Sequence, residues 1–310
     1  MKLLCPAHRE PLSVDLVCPH GERYPAMQGV PILLADPAAR ERLLRQETSA
    51  ADALAFYNRT GDHDSYCRSE LETVRRDLSR YLPQAGPTLE IGSGKGALQG
   101  MGAGYIACDY SLSALLAWLS PEHGRICASA DALPFPDGSF SCVFSIAALE
   151  HVTRADLAFA EIDRVLAPGG VAYLAPAWHC VQANCEGIPV RPFSDLSLRQ
   201  KLVKATLPLR QNILLKAAGQ LPMRLARRAL WSLRPRATAL RFTALRPDYQ
   251  TFWMSDSDAA ARLDSHEGAL FFHSRRYDVI KPGNSAMRQL LARHQPLVAR
   301  KPCLKAEGEE

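Results

Sequence analysis

From Thr88 onward the chain is organised by short apolar runs, "TLEI", "YIACD", "RICAS", "CVFSI" and "VAYLA", each ending in a small or polar residue. Helix-compatible or loop segments separate them. That alternation predicts a parallel sheet with crossover connections, whose ligand crevice lies beyond the carboxyl ends of the strands. Further on, "EGALFFHSRRYDVIKP" reads as a helix leading into a strand and "QPLVARKP" as another strand. Upstream, Ser13–Val17 and Val30–Leu34 read as short β runs between Cys-Pro and Gly turns, and residues 36–80 as helical, with Leu71, Val74, Leu78 and Leu82 at helical spacing. A chain of 310 residues, 47% apolar and 22% charged, has room for one large globular domain or two smaller ones. No apolar run approaches the roughly 20 residues of a spanning helix, and "MKLLCPAHREPL" has too short an apolar core for a secretory signal. The expected location is cytoplasmic, with peripheral membrane contact as an open alternative. Nine cysteines, an odd number and several inside predicted strands, suggest reduced thiols rather than a disulfide framework.

The stretch "LEIGSGKGALQGMGAGYIACDYS", Leu89 to Ser111, sets Gly92, Gly94 and Gly96 directly after the first of these runs. Glycines there open backbone angles closed to other residues and let a ligand approach the main chain. Asp109 ends the next run, where a carboxylate can accept hydrogen bonds from ribose hydroxyls. A bland turn, a dinucleotide loop completed by Ala97 and a methyl-donor loop all fit this pattern. Three further features narrow the choice: Glu90 two residues before the loop, Asp131 in "ADALPFPDGSFSCVFS", and "ALEHV" followed by "EIDRVLAPGGVAYLAP".

On those motifs the chain from Thr88 to about Pro176 resembles the class I S-adenosylmethionine-dependent methyltransferases of the type 11 group. "RVLAPGGVAYL" matches that family's turn before its fifth strand, and "YDVIKP" and "PLVARKP" look like its sixth and seventh. The resemblance implies an α/β, Rossmann-like, seven-stranded, mostly parallel sheet with helices on both faces, and S-adenosyl-L-methionine as cofactor. It implies that Glu90, Gly92, Ser93, Gly94 and Gly96 line the methionine portion, and that Asp109 binds the ribose with Tyr110 or Ser111 beside the adenine. Asp131 would meet the adenine amine with Ala132 nearby, and Ser145 and Ile146 would face the sulfonium. One departure stands out. Only "ALQGMGAG" separates Gly96 from Tyr105, and glycine costs about 1 kcal/mol relative to alanine in a helix. Any helix there is expected to be a stub of one turn or so.

Methyl transfer to a hydroxyl needs a base, and His151 in "LEHV" and His179 in "APAWHC" qualify by position. His151 also reads as a cap for the next helix. Trp178 reads as a pocket wall or a packed aromatic, and Tyr57 as a residue closing over the cofactor or a surface tyrosine. Cys180 and Cys185 beside His179 match no strong zinc spacing and read as ordinary thiols.

The first 35 residues, with "CPAH" and "CPH", resemble a small zinc ribbon like the activator protein of tRNA and protein methyltransferases. In that pattern two Cys-x-x-Cys knuckles hold a tetrahedral zinc. Here His8 replaces one cysteine and His20 falls one place early, so Cys5, His8, Cys18 and His20 are the candidate ligands, and a ribbon without metal is the alternative.

Between Arg191 and Arg246 stand thirteen basic residues against one acidic one, Asp195; this local +12 exceeds the chain's +5. Leu198, Leu202, Leu209, Ile213, Leu214, Leu221 and Leu225 recur there at helical intervals, punctuated by Pro208 and Pro222. The segment reads as an inserted helical cap whose apolar stripe packs on the sheet, or as a surface for anionic lipid, or for nucleic acid or another polyanion. Asp256 or Ser255 is expected to cap a helix starting near Asp258, and Asp248 and Tyr249 to reach toward the cleft. The expected division is a ribbon-like unit at 1–35, a helical lead-in at 36–87, a core at 88–179 and 256–303, the basic insertion at 180–255 and a tail at 304–310. Together these readings imply a methyltransferase acting on a small-molecule, glycan or lipid-linked acceptor, with O-methylation expected. The alternatives are an RNA methyltransferase and a noncatalytic partner subunit that keeps the fold.

Overall fold

The structure, a computed structural model, describes residues 2–59, 68–292 and 296–303; the tail at 304–310 and Cys67 lie outside the described residues. Eleven strands and eleven α-helices are described. The strands are β1 (Ala26–Met27), β2 (Val30–Leu33), β3 (Thr88–Ile91), β4 (Tyr105–Asp109), β5 (Gly124–Ala128), β6 (Phe140–Ile146), β7 (Leu166–Ala175), β8 (Thr243–Ala244), β9 (Ala261–Arg262), β10 (Asp278–Lys281) and β11 (Leu297–Arg300). The helices are α1 (Pro37–Leu44), α2 (Ala53–Arg59), α3 (Arg68–Ser79), α4 (Leu112–Ala117), α5 (Ala155–Val165), α6 (Gln182–Cys185), α7 (Leu198–Ala205), α8 (Leu207–Gln211), α9 (Ile213–Leu233), α10 (Ser265–His273) and α11 (Ala286–Leu290).

Nine strands form one sheet in the order β1-β2-β5-β4-β3-β6-β7-β11-β10. The seven expected strands run from β5 to β10. They are parallel through β7, and β11 runs antiparallel between β7 and β10. Strands buried on both faces read as continuous apolar runs, and here the alternation sorts them. Leu89, Ile91, Cys108, Ile126, Val143 and Leu174 face one core with α5 and α10. Cys127, Ala107, Cys142, Phe144 and Tyr173 face the other, with residues of α1 to α4.

The N-terminal unit joins this sheet. β2 pairs in parallel with β5 through Ile32↔Cys127 and Leu33↔Ala128, and β1 pairs antiparallel with β2. Ser13–Val17 does not form the expected strand. Leu16 takes a left-handed φ of 58° and its N–H bonds back to the Ser13 carbonyl at 3.0 Å, a turn that leaves only one isolated bridge, Val17 to Arg23.

No helix is described between β3 and β4. Residues 95–100 form successive turns, and Gly96, Gly100, Gly102 and Gly104 all have positive φ. At Gly102 the approach is close: a Cβ there would lie 2.4 Å from Thr88 Oγ1.

The expected helix near Asp258 is also absent. Asp256, with φ 61°, lies within a turn at 255–258, and the chain then runs without helix into β9. The basic insertion carries α6 to α9. Its longest helix, α9, turns its arginines inward and Leu215, Leu225, Leu230 and Leu233 outward, the reverse of a stripe packed on the sheet. Arg224 pairs with Asp264 at 2.7 Å and Arg227 with Glu267 at 3.1 Å, whereas Met223, Leu230 and Leu233 are exposed. Among the described residues, no helix is long and apolar enough to cross a membrane.

Candidate functional site

A cavity of about 540 Å³ opens at the carboxyl ends of β3, β4, β5 and β6, where a parallel sheet collects ligands. Its size lies in the ~300–1,000 Å³ range of small-molecule sites. Gly92 and Gly94 form its floor. A Cβ on Gly92 would fall 2.2 Å from Ala148 Cβ, so only glycine lets the β3 and β6 ends meet this closely. Asp109 ends β4 with both carboxylate oxygens held: Gly94 N–H donates to Oδ2 and Ser111 N–H to Oδ1, each at 2.7 Å. Burial pushes the Asp109 carboxyl above its ordinary range, against the pull of those donors. Tyr110, Ser111, Asp131 and Ala132 line the same wall. Leu33 to Asp36, the end of β2 and the residues after it, form part of the wall as well.

At the other side of the cavity sits a polar cluster. His151 Nδ1 lies 3.2 Å from Asp258 Oδ2, and the Tyr57 hydroxyl donates to that same oxygen at 2.9 Å. The Tyr57 and His151 rings meet edge to face at 5.8 Å. Glu150 is fully buried beneath, its Oε1 accepting from Ala177 N–H at 3.0 Å while Oε2 has no hydrogen-bond partner among the described atoms. Burial works against a charged imidazolium at His151. Glu150 and Asp258 outweigh it, so His151 titrates above its ordinary value. Burial raises the Glu150 carboxyl too. A neutral imidazole fixed by a carboxylate at a cavity wall can accept a proton from a hydroxyl.

Several expected site residues do not line the cavity. Glu90 points to the sheet face below, where the Tyr105 hydroxyl donates to it and burial lifts its carboxyl to about 8. Ser145 turns its hydroxyl onto the Ile91 carbonyl at 2.9 Å, and Ile146 packs in the core around Phe144; Ala147 and Ala148 occupy the cavity edge instead. Ser93 is buried outside the lining, and Gly96 packs against Leu119. His179 is also outside it, its N–H bonded to the Leu263 carbonyl at 2.9 Å and its backbone at φ 69°. Trp178 is core. His151 does not cap α5, whose N-cap is Arg154. Asp248 accepts from Trp253 Nε1 at 2.9 Å and from the Gln250 and Thr251 N–H groups, which holds its own loop together. The Tyr249 ring lies 6.4 Å from Tyr57 without reaching the lining. Asp256, Asp258 and Phe252 line the cavity, and no simple motif in the sequence marks them.

In the N-terminal unit, Cys5 Sγ, His8 Nδ1 and Cys18 Sγ lie within 4.8 Å of one another. The Cys5–His8 and Cys18–His8 separations are 3.4 and 3.5 Å, close to the ~3.6 Å that tetrahedral zinc bonds impose between sulfur and nitrogen ligands. His20 is not in that group; its Nε2 lies 3.4 Å from Glu10 Oε1. Glu22 Oε2 lies 4.0 Å from His8 Nδ1. Cys180 and Cys185 are buried, and their thiols contact the Ala177 and Ala259 carbonyls.

Residues 89–174 match a family model described as a methyltransferase domain. A ubiquinone/menaquinone biosynthesis C-methyltransferase, UbiE, of Hahella chejuensis is 56% identical over 43 residues, which is 14% of this chain and 17% of that protein. A malonyl-[acyl-carrier protein] O-methyltransferase of Geobacter sulfurreducens is 32% identical over 136 residues, 38% of this chain and 49% of that one. The chain thus spans less than half the length of these curated relatives. Among solved structures, the amino pentose methyltransferase CalS10 of Micromonospora echinaspora is 20% identical, with a TM-score of 0.32 over 42% of this chain and 58% of that one.

Proposed function

We infer that this chain, which carries a class I S-adenosylmethionine-dependent methyltransferase domain, transfers a methyl group to a hydroxyl oxygen of a small-molecule, glycan or lipid-linked acceptor. The observation that carries this reading is the placement of His151, braced by Asp258, across one cavity from Gly92, Gly94, Asp109 and Asp131. The donor residues suit the cofactor: a carboxylate at the end of β4 for ribose hydroxyls, glycines for close main-chain approach, and a second carboxylate, Asp131, on the next strand's loop. When bound, S-adenosylmethionine supplies a methyl group on a sulfonium. The chain's own residues then position and desolvate the acceptor. His151 Nε2 takes the hydroxyl proton while Asp258 holds the ring and steadies the imidazolium. Phe252 and the walls from α1 and α2 keep bulk water away.

In the N-terminal unit we propose zinc held by Cys5, His8 and Cys18, with the Glu22 carboxylate or a water as fourth ligand. Its role would be structural.

The reading is tested by incubating the protein with labelled methyl donor and fractionated cell extract. Label should enter a fraction of small or lipid-linked molecules as a base-stable methyl ether. His151→Asn should cut incorporation about a hundredfold or more yet keep S-adenosylhomocysteine binding in calorimetry, and Asp109→Ala should lose that binding. Incorporation into RNA alone would refute the acceptor class, and absence of S-adenosylhomocysteine binding by the unaltered chain would refute enzymatic function.

A further inference from the structure

The helices α7 and α9 are built inside out. On α9 the residues Leu215, Pro222, Ala226, Leu230 and Leu233 follow one another at helical spacing on the solvent side, with Met223 beside them; Met223 is 75% and Leu233 78% exposed. Three arginines of the same helix point into the protein. Arg224, only 7% exposed, pairs with Asp264 and donates to the Leu290 and Ala292 carbonyls at 2.6 and 2.9 Å. Arg227 holds Glu267, and Arg228 donates to Gln289 Oε1 at 2.6 Å. α7 shares the outward leucines: Leu198, 85% exposed, and Leu202 face solvent beside the exposed Arg199, while Lys204 turns in to the Arg191 carbonyl. A helix on a protein surface ordinarily buries its apolar stripe and wets its charges. A reversed helix presents a hydrophobic surface that something else must cover.

Charge identifies the cover. From Leu196 to Pro247 the sequence has no acidic residue; Arg199 on α7 and Arg234 and Arg236 directly after α9 are exposed, as are Arg241 and Arg246 further along the chain. A second copy of this segment would bring like charges together. Nucleic acid would meet the arginines and leave the leucines wet. We propose that the outward faces of α7 and α9 dock flat on an anionic lipid bilayer, with leucine and methionine side chains entering the acyl boundary and arginines at the headgroups. At about 1.5 Å per residue α9 lies some 32 Å along the surface, and its end-to-end apolar face suits an in-plane helix.

The test is co-sedimentation of the full chain with vesicles of phosphatidylcholine alone and of phosphatidylcholine mixed with phosphatidylglycerol. The chain should sediment with the mixed vesicles, weakly with the neutral ones, and less as salt rises. The double variant Leu230→Glu, Leu233→Glu should lower the bound fraction about tenfold with an unchanged melting temperature, since both positions are exposed. If that variant unfolds, Met223→Gln serves in its place and should weaken binding several-fold. Failure to sediment with the mixed vesicles overturns the proposal. So does equal binding to both vesicle types, or binding that the apolar variants leave intact. A concentration-dependent dimer of the unaltered chain, broken by the same double substitution in sedimentation analysis, would assign the face to self-association instead.

Discussion

At the residue scale, His151 and Glu90 are buried ionisable groups with opposite consequences. His151 is raised by Glu150 and Asp258 despite its burial, and it accepts a proton only when neutral. Activity should therefore fall as pH drops, with the midpoint above the ordinary imidazole value. His151→Asn should cut kcat about a hundredfold or more and remove that limb, and Asp258→Asn should move it to lower pH; a pH–rate profile of the three proteins checks both. Glu90 has its folded pKa raised to about 8 by burial, so it favours the fold only in its neutral form. Stability should fall as pH rises from about 4.5 toward 8 and level off beyond. Glu90→Gln, whose amide oxygen still accepts from Tyr105, should remove that slope and stabilise the protein by roughly 3 kcal/mol at pH 7, read from denaturant midpoints across pH. The glycines and Asp109 and Asp131 could be read from the sequence because they sit at fixed distances from strand ends. Asp258 could not. It is 107 residues from His151, in an irregular segment with no periodicity, and only the fold brings the two together.

At the element scale, the link from β3 to β4 shows what glycine does when a helix is missing. Gly102 has φ +89° and a Cβ there would fall 2.4 Å from Thr88 Oγ1, whereas Gly29 has φ +79° with open space around it. Gly102→Ala should cost roughly 2–4 kcal/mol, strain and overpacking together, and Gly29→Ala about 1 kcal/mol from strain alone; urea unfolding of the two variants distinguishes them. The scarcity of helix in "ALQGMGAG" was legible, because three glycines in five residues defeat helix propensity. The failed elements, Ser13–Val17 as strand and a helix at Asp258, share a cause. In each a non-glycine residue at positive φ, Leu16 within the first and Asp256 just ahead of the second, turns the chain away from regular dihedrals, and no side-chain pattern announces such an angle. The reversal of α9 was hidden for a related reason: leucines at helical spacing fix which residues share a face but not which way the face turns. The partners that turn it, Asp264, Glu267 and Gln289, lie beyond the helix.

At the scale of the whole molecule, the N-terminal unit is bound to the rest by the sheet, by Arg9 to Glu161 at 2.7 Å and by the Leu4 N–H to the Pro134 carbonyl at 3.0 Å. With zinc on Cys5, His8 and Cys18, elemental mass spectrometry should find about one zinc per chain, and Cys5→Ser or Cys18→Ser should lose it and lower the melting temperature. Cysteine spacing alone left four candidate ligands; the fold brings three of them together, because the turn after Cys18 carries His20 toward Glu10. The parallel pairing of β2 with β5 has a consequence for where this protein can be cut. The matched family segment begins at Leu89, but the protein is not modular at that point. A chain trimmed to start there would bare the edge of β5, lose the Leu33–Asp36 wall of the cavity and unseat Tyr57 from Asp258. The boundary of the matched segment falls inside the structure that the cavity needs.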